Sequence, residues 1–107
     1  MNTFEEYQLL AASVPLSLRN NRNRINLPVT GLQEEAGKIG SLLTRGAASG
    51  RLNLTPEQRR ELQNRLSDIL WYLALLCGEA GIPLQDLARH SIAQLEARTS
   101  RLDPEQR

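Results

Sequence analysis

Thr55-Pro56-Glu57-Gln58, followed after a mainly polar stretch by Asp68-Ile69-Leu70-Trp71-Tyr72-Leu73-Ala74-Leu75-Leu76-Cys77, is the segment whose reading decides the fold. Thr55 can cap a helix, Pro56 falls at the first helical position where no amide hydrogen is missed, and Gln58 completes a capping box. Leu62, Leu66, Ile69, Leu70, Leu73, Leu76 and Cys77 keep a 3.6-residue period, which predicts one long helix. From Ile69 to Cys77 no charge interrupts any face. A helix apolar all round is covered all round. One chain of 107 residues has little else to cover it with, so a second subunit is expected to close the core.

The remaining segments also read as helices. Thr3 and Glu6 form a second capping box, and Phe4, Tyr7, Leu10 and Ala11 recur at helical spacing as far as Ser13. Residues 13–28, with Pro15, Pro28, four asparagines and Arg19, Arg22 and Arg24, read as a loop. A helix over about Val29 to Arg45 follows, with Leu32, Ala36, Ile39 and Leu43 as its buried stripe. Gly37 and Gly40 weaken it, each by about 1 kcal/mol against alanine. Residues 46–54 form a flexible connection. After the long helix, Gly78 and Gly81 loosen its end and Pro83 starts a fourth helix, with Leu84, Leu87, Ala88, Ser91, Ile92 and Leu95 inward. Residues 99–107 read as a polar, flexible tail. No strand pattern and no repeat is visible, so the expectation is one all-α domain over 1–107, a four-helix bundle completed by oligomerisation.

Bulk properties exclude several classes. With 13 basic and 12 acidic side chains and a net charge of +1, no overall field exists to attract nucleic acid or an anionic membrane. No segment reaches the roughly 20 apolar residues of a membrane span, and the start lacks the basic and apolar regions of a secretion signal. The single cysteine, Cys77, lies in the most apolar run and reads as a packed thiol in a reducing compartment. A cytoplasmic protein with no membrane and no nucleic-acid partner is expected.

Two further stretches, Gly31-Leu32-Gln33-Glu34-Glu35-Ala36-Gly37-Lys38 and Arg65-Leu66-Ser67-Asp68, place polar side chains three residues apart on two helices. Together with Tyr7-Gln8 and Ala11, the apolar run after Asp68, and Gly81-Ile82-Pro83-Leu84, they resemble the MazG-like all-α nucleoside triphosphate pyrophosphohydrolases, over about residues 4–98. The resemblance implies a MazG-like bundle in which two pairs of carboxylates hold magnesium, the ion that neutralises the triphosphate and positions water for attack. The four matching positions here are Glu35, Lys38, Arg65 and Asp68. Glu35 and Asp68 retain metal-ligand character, whereas Lys38 and Arg65 replace it. A cation at either position would repel a bound ion by several kcal/mol per unit of ion charge at about 4 Å and an effective dielectric near 20.

The residue types also permit a metal-free account. Glu35 can pair with Lys38 and Arg65 with Asp68 across one helical turn, and Glu61 precedes Arg65 by four residues in the favourable order. Salt bridges then stand electrostatically where the ion would be. Alternatively Lys38 and Arg65 touch phosphate directly, for which the guanidinium fork is suited. Glu34 sits 100° round the helix from Glu35, about the angular step of one residue. Family members carry an asparagine and a lysine in the last helix that serve the nucleotide, where this chain has Ser91 and Gln94. Trp71 and Tyr72 could stack on a base, although aromatic residues in an apolar helix more often form core. His90 stands without cysteine or a second histidine and reads as surface or packing.

The leading functional expectation is a catalytically degraded pyrophosphohydrolase homologue that needs no cofactor, acts by binding a nucleotide or a protein, and forms a homodimer or a dimer of dimers. A working enzyme using magnesium on Glu34, Glu35 and Asp68 is the first alternative. A purely structural assembly module is the second.

Overall fold

The computed structural model describes residues 3–14, 25–48 and 51–102. Its elements run α1 (Phe4–Ser13), α2 (Asn26–Gly46), β1 (Ala47–Ala48), β2 (Arg51–Leu52), α3 (Pro56–Glu79) and α4 (Leu84–Leu102). The class is all-α. No single described helix is long and apolar enough to cross a membrane; α3 and α4 meet that test only together, bent by 104°.

Both capping boxes form. The Thr3 hydroxyl accepts from the Glu6 amide at 3.1 Å while the Glu6 carboxylate accepts from the Thr3 amide at 2.8 Å. Thr55 and Gln58 repeat the pattern at 3.1 and 2.9 Å, with Pro56 beginning α3. Each box satisfies amides that helical geometry leaves without an intrahelical partner.

α2 begins earlier than its sequence suggests, at Asn26 rather than near Val29, so residues 26–28 of the expected loop over 13–28 are helical. Pro28 ends no helix because it lies in the first turn, where its missing N–H costs nothing, and the Val29 amide already donates to the Ile25 carbonyl. The buried stripe is also turned back by about one residue. Pro28, Gly31, Glu35 and Leu42 are buried, Leu32, Ile39 and Leu43 half-buried, and Ala36 exposed. The connection over 46–54 contains a short antiparallel pair, Ala47 opposite Leu52 and Ala48 opposite Arg51. The cluster Arg19, Arg22 and Arg24, residues 49–50 and residues 103–107 lie outside the described residues.

α2 packs along α3, and α1 packs against α3 and α4. The centre is Ala11, Ala74, Cys77 and Leu84, with Tyr7, Trp71, Leu73 and Leu87 packed on it. Trp71 is a core residue: its indole Nε1 donates to the Ala11 carbonyl at 3.2 Å, an acceptor in the last turn of α1 that has no helical donor of its own. Within the run Ile69 to Cys77 no residue is exposed, so the chain's own helices supply much of the cover expected from a second subunit. Leu66, expected inward, is 50% exposed.

The α3–α4 turn is more ordered than two glycines suggest. Ile82 donates to the Cys77 carbonyl at 2.8 Å and Gly81 to the Gly78 carbonyl at 3.2 Å, a Schellman closure that requires a left-handed residue. Gly81 supplies it with φ +72°. Gln8 of α1 then clamps the turn, donating from Nε2 to the Ile82 carbonyl at 3.0 Å and accepting from the Leu84 amide at 2.8 Å. Beyond that clamp α4 separates from the bundle. Leu84 is buried and Leu87 and Ala88 half-buried, but Ser91, Ile92 and Leu95, expected inward, are exposed. α4 also stays helical to Leu102 instead of giving way to a tail at residue 99.

Candidate functional site

Gly31 lets α2 and α3 approach closely. A Cβ at this position would meet the Tyr72 ring well inside van der Waals contact, so the aromatic side chain lies directly on the α2 backbone. One turn along α2 from that contact is Glu35; one and two turns back along α3 are Asp68 and Arg65. These residues form the polar seam of the interface.

Arg65 Nη1 lies 3.3 Å from Oε1 and 3.3 Å from Oε2 of Glu35. The pair is largely shielded, with side-chain exposures of 30% for Arg65 and 9% for Glu35. Glu61, four residues before Arg65, approaches its Nε to 3.9 Å, which leaves this buried atom without a hydrogen bond. The guanidinium therefore lies between a carboxylate on α2 and a carboxylate on its own helix. Of the pairings expected within single turns, Glu61 with Arg65 forms, whereas Lys38 makes no ion pair with Glu35, nor Asp68 with Arg65, and both Lys38 and Asp68 are exposed. The buried carboxylate takes the longer reach across the interface, where shielding strengthens the attraction.

Asp68 faces two tyrosines. Burial, then the Asp68 charge, pushes the Tyr7 hydroxyl above its ordinary range. Tyr72 moves the same way, through burial first and then Asp68, Glu35 and Glu34. Each negative charge disfavours a phenolate beside it, so both hydroxyls remain protonated donors. Burial also raises the Cys77 thiol, which lies in the core.

The structure therefore brings Glu35, Arg65, Asp68 and Tyr72 to one interface, with Glu34 close enough to act on Tyr72. Trp71 adjoins this group, its ring centroid 5.1 Å from that of Tyr72, and Ser91 and Gln94 lie apart from it. Trp71 is in the α1–α3 core, and Ser91 and Gln94 line a groove of about 410 Å³ with Phe4, Leu70, Leu73 and His90. Leu70 and Leu73 occupy a different face of α3 from Asp68 and Tyr72. Tyr7 and Gln8 carry roles that spacing alone does not disclose. Among the described residues no three acidic, histidine or cysteine side chains gather as a metal-ligand set.

The Gene 37 protein of Mycobacterium phage L5 is 30% identical to this chain over 71 residues, which are 66% of this chain and 62% of that protein. No family model matches, and no solved structure matches.

Proposed function

We propose that this chain is a MazG-like pyrophosphohydrolase homologue that has exchanged its divalent cation for the Arg65 guanidinium and acts by binding, of a nucleotide or of a protein, rather than by hydrolysis. The observation that carries the proposal is the contact of Arg65 Nη1 with both oxygens of Glu35 at 3.3 Å. Magnesium requires several oxygen donors converging in near-octahedral geometry. The side chains here do not fit that demand, because Glu35 is engaged by a cation and Glu34, Glu35 and Asp68 form no ligand group. A fixed guanidinium neutralises the buried carboxylate but cannot generate a metal-bound hydroxide. What remains accessible is the Asp68 carboxylate at the seam and, three residues along α2 from Glu35, the exposed Lys38 ammonium, groups suited to recognition.

The test is isothermal titration with a panel of nucleoside triphosphates, with and without magnesium, beside a pyrophosphate-release assay. The expected outcome is no turnover and any binding independent of magnesium. Magnesium-dependent conversion of a triphosphate to its monophosphate overturns the proposal.

A further inference from the structure

α4 carries a stripe that the chain itself covers only at one end. Leu84, Ala88, Ile92, Leu95 and Thr99 fall within an arc of about 80° on a helix of 3.6 residues per turn. Leu84 is buried and Ala88 half-buried, whereas Ile92 is 56% and Leu95 54% exposed. From Ala88 the spacing runs four, three, four, the rhythm of a seam that meets a second helix. A shallow depression bounded by Ile92, Leu95, Glu96, Thr99 and Ser100 lies along its C-terminal part.

The charges beside this seam state what the second helix is. Arg89 and Glu96 lie on one flank, seven residues apart and so nearly in line. When another copy of α4 runs antiparallel, Ile92 meets Leu95 of the second copy, Ala88 meets its Thr99, and Arg89 meets its Glu96. The two-fold axis repeats each contact, so both ion pairs form at once. A parallel arrangement would instead place the two copies of this flank on opposite sides of the seam, so that Arg89 of one copy would not reach Glu96 of the other. Arg89 presently lies 3.8 Å from Asp86, with side chains 70% and 60% exposed, a pairing weak enough to exchange.

We infer that the exposed half of α4 is a self-association face, on which two copies of this chain pair antiparallel through Ala88, Ile92, Leu95 and Thr99 with two Arg89–Glu96 bridges along one flank. This inference is independent of any ligand at the Glu35–Arg65 seam, and its test uses none.

Sedimentation equilibrium of the full chain should give a dimer at micromolar concentration. Leu95→Glu should give a monomer of unchanged helicity by circular dichroism. Arg89→Glu and Glu96→Arg should each weaken the dimer about tenfold, since each creates two like-charge contacts, and the double exchange should restore it. A wild-type monomer, a dimer indifferent to Leu95→Glu, or a double exchange no tighter than the single variants overturns the inference.

Discussion

Arg65 and Glu35, 30 residues apart in the chain, meet across the α2–α3 interface with one guanidinium nitrogen equidistant from both carboxylate oxygens. Glu35 is 7% exposed, so water has little access to its carboxylate and Arg65 is its partner. Arg65→Met should destabilise the fold by about 2–3 kcal/mol, because it strands a buried carboxylate. Glu35→Gln should cost less, since Arg65 keeps some access to water. A double-mutant cycle by urea unfolding should give a coupling energy of about 1–2 kcal/mol; additive losses would mean that the contact contributes nothing.

Gly31→Ala should cost about 1–3 kcal/mol, as for an overpacked core, because the new methyl meets the Tyr72 ring. Thermal unfolding should show the loss, and the same change in a Tyr72→Ala background should be nearly neutral. If the loss persists without the ring, the steric account fails.

Alkaline pH should weaken the fold through Tyr7 and Tyr72. Both hydroxyls have folded values raised above the ordinary 10.0, so the stabilisation they represent is whole below pH 10.0 and fades as pH rises through the folded values. Asp68→Asn should lower both titrations, because its charge contributes to each shift. Ultraviolet titration of tyrosinate in the variant and the wild type checks this, and identical curves would exclude the Asp68 effect.

Gln8→Ala should remove both bonds that tie α1 to the start of α4, a loss of about 1–2 kcal/mol. Faster hydrogen exchange at the Leu84 amide is the specific sign, with the amides in the middle of α3 less affected. Unchanged exchange at Leu84 would show that the clamp does not hold the turn.

Local chemistry was legible in the sequence where one side chain decides the backbone. Thr3 with Glu6 and Thr55 with Gln58 announce helix starts, and Pro56 confirms the second. Pro28 misled because proline is read as a break unless the start of the helix is already known. The α2 stripe was displaced because two of its buried members are a glycine without a side chain and a charged residue, which an apolar pattern cannot register. Spacing proposed only partners three or four residues away, so Arg65 was matched within its helix although its closest carboxylate is on α2. Ile92 and Leu95 have the pattern of buried residues but not the cover, because periodicity reports which face is apolar and not what lies against it.

Because the guanidinium that neutralises Glu35 is carried by the same polypeptide, dilution does not deplete it. Its local concentration is fixed by the distance between two backbones rather than by any reservoir in the surroundings. The balance of the seam is consequently set when α2 and α3 come together, and its loss coincides with their separation.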